Sequence, residues 1–368
     1  MRVREIFFHN FRSFRGERHI SFVDSLTNEV RSVSVLAGSN GSGKTTILEA
    51  IEALLEFVLN PEVPKNLITE AWENGLVCLE IELFPEDFSH FSLNGETSKI
   101  MHIAVGQRDL VPVAVEETWP NLFCHLIQQN GNKKPFIRKS NLAEKLRNEV
   151  KQARQRKDDL RGGFLYFPHD RQLNVTKGGA VEPPSEETSW VFRFSRSDRW
   201  KGSLEQLWVW QNYLDLEQGN QERNNLKPFV ALVENVLGEN RPITVSGGRA
   251  MVPAAWSNSN GESTKVHLDQ LPSGEQQCLL LFGELARRKR KSAIIAIDEI
   301  ENSLHPTLQR LVMWNLRKIA REWDAQVIVT THSLEIINTV RGSAFINLDY
   351  PEDHFNLPIL DENEGNAA

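Results

Sequence analysis

The chain has 368 residues, enough for roughly two domains or for one large α/β domain with an insertion. Hydrophobic residues at 40% and charged residues at 25% give the composition of an ordinary globular protein able to bury a sizeable core. Its 42 lysines and arginines face 49 acids, a net charge of −7, so the chain as a whole gives no electrostatic support to nucleic-acid binding, and only a local patch would.

From the N-terminus, "REIFFHNFRSF" alternates as a strand that turns at Asn10, with "HISFV" as its partner. "VSVLAG" reads as a short buried strand, and "TTILEAIEALLEFVL" has apolar residues at helical spacing. "LVCLEIELF" and "KIMHIAVG" read as antiparallel strands. A polar, basic helix is expected from about Asn141 to Arg161; its apolar face is thin, so it is expected to project from the body. "FLYF" is a strand ending at Pro168, and the stretch from Thr176 to Ser203, with "EPPSEE", looks irregular. "SLEQLWVWQNYLDL" and "LKPFVALVENVLG" read as helices, with Trp208 and Trp210 as core or interface anchors. "SAIIAIDE" is a buried parallel strand, "TLQRLVMWNLRKIAREW" an amphipathic helix and "AQVIVTTHS" another buried strand. The final "LDENEGNAA" is expected to fray. No apolar run approaches the ~20 residues that span a bilayer, and "MRVREIFFHNF" lacks a signal-peptide core. Cys78, Cys124 and Cys278 have no metal spacing and are expected to fill the core of a cytoplasmic protein.

Chemistry gathers at strand ends. "GSNGSGKT" fits G-x-x-x-x-G-K-[ST] between an expected strand and an expected helix, the context that motif requires. Its glycines let backbone N–H groups approach phosphate oxygens, and the helix beginning near Lys44 adds its positive end. Lys44 is expected to reach the β- and γ-phosphates of ATP, and Thr45 to ligate Mg²⁺. Asp298 and Glu299 end an apolar strand, where open α/β sheets bind ligands. Asp298 would hold the metal, and Glu299 would act on the attacking water as general base. His332 leaves the strand "VIVTTHS" in position to hydrogen-bond the γ-phosphate or that water. A second glycine turn, "LPSGEQQ", precedes the apolar run "CLLLFGELA".

Together these pieces resemble the ATP-binding-cassette (ABC) type ATPase heads of the SMC and RecF superfamily, in the same order along nearly the whole chain. "ENSLHP" is most similar to the overcoming-lysogenization-defect (OLD) type of ATPase, which includes ATPases of phage-defence systems. The resemblance implies a P-loop α/β fold: a mixed sheet, an antiparallel β lobe and a helical insertion carrying the signature. It implies nucleotide contacts from Gly38, Asn40, Gly41, Ser42, Gly43, Lys44, Thr45 and Thr46, with Arg12 and Ser13 reaching in from the N-terminal lobe. "LPSGEQQ" becomes a signature motif whose Ser273, Gly274, Glu275 and Gln276 serve the nucleotide of a second copy. Asn302, Ser303 and His305 become an interfacial D-loop, and "YFPHDRQL" offers Gln172 as Q-loop residue. The expected divisions are 1–175, an ATPase lobe; 176–270, a helical or irregular insertion; 271–345, the lobe of signature and strand-end acids; and 346–368, a tail.

Two departures shape the functional expectation. The long SMC-type coiled coil is missing, and after His332 only 36 residues remain (368 − 332), too few for an OLD-type nuclease domain. The expected protein is therefore an ATPase switch: a homodimer or higher even oligomer, bound head-to-tail by ATP. Its output would be delivered by a separate effector, a nuclease or toxin of bacterial anti-phage defence. A RecF-like role in DNA repair is the alternative. DNA or RNA contact would fall to "KQARQRKDD" and to "RRKRK" at Arg287 to Lys291, although the latter would also suit a helix C-terminus.

Overall fold

The computed structural model describes residues 1–88, 99–111, 119, 121–128, 135–156, 161–174, 182–184, 189–195, 204–219, 222–238, 241–257, 263–340 and 344–349. The second half of "EPPSEE", the end of "KQARQRKDD" and the C-terminal "LDENEGNAA" lie outside these residues.

The first sheet orders its strands β2–β1–β4–β5–β6–β7. These are β1 (Arg2–Phe11), β2 (Phe14–Ser21), β4 (Leu76–Leu83), β5 (Lys99–Gln107), β6 (Phe123–Ile127) and β7 (Phe136–Arg138). All neighbours are antiparallel except β5 and β6. Val3 and Ile6 are three apart yet both fully buried, because the β1–β4 register slips by one residue between Val3 and Glu5. At the other end Asn10 and Arg12 take left-handed backbone (φ 50° each), and Phe11 pairs with Phe14 to close the hairpin.

The second sheet is wholly parallel, in the order β15–β3–β14–β13–β8–β9. Its members are β3 (Val33–Ala37), β8 (Phe164–Phe167), β9 (Val191–Arg193), β13 (Ile294–Ile297), β14 (Gln326–Thr331) and β15 (Phe345–Asn347). The four inner strands are buried at every residue, which is why they read as unbroken apolar runs. Alternate residues go to two different cores. Leu36, Tyr166, Ala296 and Ile328 face α1 (Lys44–Leu59) and the first sheet. Val35, Phe167, Ile297 and Val329 face a helical layer. That layer holds α4 (Leu204–Glu217), α5 (Lys227–Leu237), α6 (Ser273–Arg287) and α7 (Pro306–Glu322). α2 (Asn66–Asn74) packs beside α1 on the first sheet. A short α8 (Leu334–Ile337) follows β14.

The basic helix does not project. α3 (Asn141–Arg156) lays Leu142, Ala143, Leu146, Val150 and Ala153 inward, four of them joining the core around α1. Five small or branched residues suffice because α1 offers an apolar surface for them to close. Leu146→Ala is accordingly expected to lower unfolding free energy by about 2–5 kcal/mol, measured by urea denaturation. A projecting helix would lose almost nothing.

"RRKRK" is not an open basic patch either: Arg288 and Arg290 are buried. Arg288 pairs with Glu284 and lies over Phe192 and Phe194. The stretch expected to be irregular contains β9, which extends the parallel sheet. An antiparallel sheet of β10 (Thr244–Ser246), β11 (Arg249–Ser257) and β12 (Ser263–His267) adds strands where helices or coil were expected. Trp208 is fully buried, and all three cysteines are buried and none is in a disulfide. Burial pushes the Cys278 thiol up to about 12, so it is inert at neutral pH. Among the described residues, no helix is long and apolar enough to cross a membrane.

Candidate active site

The loop from Gly38 to Gly43 joins the end of β3 to the first residue of α1. Gly43 holds φ 97°, and a Cβ there would sit 2.2 Å from the Phe14 ring, so no other residue fits. Gly41 is also left-handed (φ 82°), and a Cβ at Gly38 would lie 2.7 Å from the Ser42 hydroxyl. The N-terminus of α1 has no side-chain cap and no acid in its first turn, leaving its N–H groups to an anion. The Lys44 ammonium folds back onto the carbonyls of Gly38 and Ser39, at 2.9 Å each. Burial lowers its pKa, against the pull of Asp349, Asp298, Glu299 and Glu301. Asn40 is exposed on the loop, and Thr46 is half-buried on α1.

Three strand ends converge beside this loop. Thr45 Oγ1 donates to Asp298 Oδ2 at 2.8 Å, and Thr330 Oγ1 donates to Asp298 Oδ1 at 2.6 Å. The Thr330 hydroxyl accepts from the Glu299 N–H at 2.8 Å, so one residue of β14 fixes both acids. Glu299 itself is left-handed, with φ 45°. Such strain in a non-glycine residue costs about 1–3 kcal/mol and persists where surrounding bonds enforce it. A buried arginine enforces it here. Arg171 donates to the carbonyls of Pro168, Asp298 and Glu299, at 3.0, 2.6 and 3.1 Å. Among the described residues the Glu299 carboxylate has neither hydrogen bond nor ion pair. Exposed His332 leaves β14 with its N–H on Glu301, which also accepts from Thr331.

The other expected site residues are placed as follows. Ser13 lies against the loop, its hydroxyl 2.8 Å from where a Gly43 Cβ would be. Arg12 is held by Glu49 and Glu70. Ser273 is exposed at the first turn of α6. Gly274 packs so closely on the D-loop of the same chain that a Cβ would come within 2.6 Å of the Ser303 carbonyl. Glu275 makes a two-pronged pair with Arg241, at 2.7 Å for both bonds, and Gln276 donates to the carbonyls of Asp269 and Leu271. These two side chains are committed within the chain. Asn302 donates to the His169 carbonyl, Ser303 (φ 62°) donates to the Asn302 side chain, and His305 caps α7. Gln172 is exposed; from its loop His169 lies beside the Asp298 carboxylate and Arg171 bonds the Asp298 carbonyl.

Several residues escaped the sequence reading. Arg171 and His169 stand in the quoted "YFPHDRQL", but nothing local marks their contacts to residues more than 120 positions away. Asp349, just after β15, accepts from the Ser39 N–H and hydroxyl at 2.8 Å each, beside the phosphate loop. Glu301 and Thr330 lie inside quoted motifs, one position before Asn302 and two before His332. The loop's N–H groups suit phosphates, and the Thr45 and Asp298 oxygens suit a hard divalent cation. That cation would neutralise charge on the transferring phosphate.

Fold and site together define an α/β P-loop ATPase with the SMC-head fold. The head of an SMC protein, solved bound to the C-winged helix domain of ScpA, superposes with a TM-score of 0.50 at 12% identity over 94% of both chains. The SMC head of Thermotoga maritima gives 0.45 at 14% identity, with 94% of each chain covered. Residues 1–175 match the model "AAA ATPase domain". Residues 114–338 match the model "AAA domain, putative AbiEii toxin, Type IV TA system", and the chain belongs to that family. Among curated proteins, the methionine import ATP-binding protein MetN of Corynebacterium jeikeium (strain K411) is 28% identical over 82 residues. That match spans 22% of this chain and 22% of MetN.

Proposed function

We propose that the chain is a Mg²⁺-dependent ATP hydrolase that dimerises head-to-tail on ATP and switches a separate effector. One observation carries the hydrolytic part. The Thr45–Asp298 hydrogen bond joins the phosphate loop to the strand-end acids, and the next carboxylate, Glu299, is held in a strained backbone with its oxygens uncommitted among the described residues. In this reading Lys44 and the loop N–H groups hold phosphates, Thr45 and Asp298 hold the cation, Glu299 takes the proton of water, and His332 orients the γ-phosphate.

The dimer rests on α6. Its N-terminus presents exposed Ser273 on a turn whose other polar side chains, Glu275 and Gln276, are already bonded. A helix N-terminus with free N–H groups attracts a phosphate, here the γ-phosphate on a second copy. Losing that phosphate removes charge-assisted bonds worth ~1.5–3 kcal/mol each, so hydrolysis opens the dimer. In this reading the effector is a toxin or nuclease of a defence system; the family description, which names a putative toxin and a type IV toxin–antitoxin system, supports the toxin setting. Sedimentation velocity tests the switch. A monomer with ADP that becomes a dimer with ATPγS and Mg²⁺ is the expected result; the same species under both conditions would refute it.

A further inference from the structure

We infer that His169 is a third protein ligand of the cation at Thr45 and Asp298, so that the site favours Mn²⁺ over Mg²⁺. The inference rests on the ATPase reading above and adds a residue and a metal preference to it. His169 lies two residues past the end of β8, whose register sets Phe167 beside Ile297, the residue before Asp298. Its Nδ1 is 3.5 Å from Asp298 Oδ2, the same oxygen that accepts from Thr45 at 2.8 Å. At 3.5 Å the pair is too long for a good hydrogen bond, which leaves the imidazole nitrogen available. Adjacent donors on an octahedral cation with bonds of ~2.1 Å lie ~3 Å apart, close to both separations.

The backbone is fixed, and the ring stands largely exposed. Asn302 donates to the His169 carbonyl at 3.1 Å, and Arg171 clamps the same turn to Asp298 and Glu299. The His169 side chain is 56% exposed, on the open side of a carboxylate that is itself wholly buried. Gln172 is exposed, and the side chain that this loop sets beside the Asp298 carboxylate is that of His169. A neutral imidazole is a poor ligand for Mg²⁺ and a good one for first-row divalent metals, whereas oxygen donors alone suit Mg²⁺.

Pulsed EPR on Mn²⁺ bound with ATPγS tests the ligand directly. The protein is uniformly labelled with ¹⁵N and the nucleotide is not, so nitrogen of the base does not count. The wild type is expected to show the ¹⁵N coupling of a directly bonded imidazole. His169→Ala should lose it and His332→Ala should keep it. Competition of the two metals should show a wild-type preference for Mn²⁺ that falls about tenfold in His169→Ala. Thermal unfolding of His169→Ala should match the wild type, since the side chain packs on little. Bound Mn²⁺ and nucleotide without ¹⁵N coupling would overturn the inference and leave the ATPase reading standing. Coupling that survives in His169→Ala and disappears in His332→Ala would overturn it too. Failure of Mn²⁺ to bind with nucleotide at all would remove both.

Discussion

Glu299→Gln is expected to slow ATP turnover by ~10²–10⁴-fold while leaving nucleotide affinity close to wild type. The substitution keeps the size and shape of the side chain and removes only its capacity to take a proton. Nothing that holds the nucleotide depends on it: Lys44 is bonded to Gly38 and Ser39, and Thr45 to Asp298. The backbone contacts that fix the left-handed residue, from Thr330 and Arg171, are also independent of the side chain. The loss should therefore fall on kcat rather than on binding. With hydrolysis blocked, ATP itself should hold the dimer that ATPγS holds in the wild type. Phosphate release in single-turnover mixing measures the first effect and sedimentation the second. Unchanged turnover would take Glu299 out of the role of base.

Lys44→Ala should nearly abolish nucleotide binding. The ammonium is pointed at two loop carbonyls with its charge in reach of any phosphate in the cradle. Two charge-assisted bonds to phosphate at ~1.5–3 kcal/mol each amount to ~10²–10⁴-fold in affinity. Removing the side chain also takes the ammonium donor from the Gly38 carbonyl and leaves the Ser39 carbonyl with only the Ser42 N–H at 3.2 Å, so the loop itself loosens. Calorimetric titration with ATP and Mg²⁺ measures the loss, and far-UV circular dichroism controls for folding. Wild-type affinity would sink the assignment of the phosphate loop.

What was legible in the sequence had local form. A run such as "SAIIAIDE" is apolar because β13 is buried on both faces, and it ends where the sheet edge meets the ligand side. Lys44, Thr45 and Asp298 could be named because a strand, a glycine turn and a helix follow one another within a few residues. Arg171 could not, because its partners are backbone carbonyls that any sequence would supply. Gln172 was preferred for its residue type, whereas the strand register brings His169 to Asp298. The docking of α3 was hidden by its many charges; the five residues that bury are spaced correctly but are too few to dominate its composition. Strands of three residues, such as β7, β9 and β10, are too short to show a period and exist through pairing with their neighbours.

The central claim is that each ATPase site is completed by Ser273 of a second copy, and a mixing experiment tests it most directly. Ser273→Arg puts bulk and a misplaced charge at the exposed N-terminus of α6, and Lys44→Ala disables the phosphate loop; each variant alone should be inactive. In a heterodimer of the two, sites shared between copies would sort into one with both defects and one with neither. Tag pull-down establishes that heterodimers are present. The account predicts that the mixture regains ATPase activity, up to about half that of a wild-type dimer if one intact site fires alone. A mixture that stays inactive with heterodimers present would contradict it, since no intact site forms when each chain serves only itself.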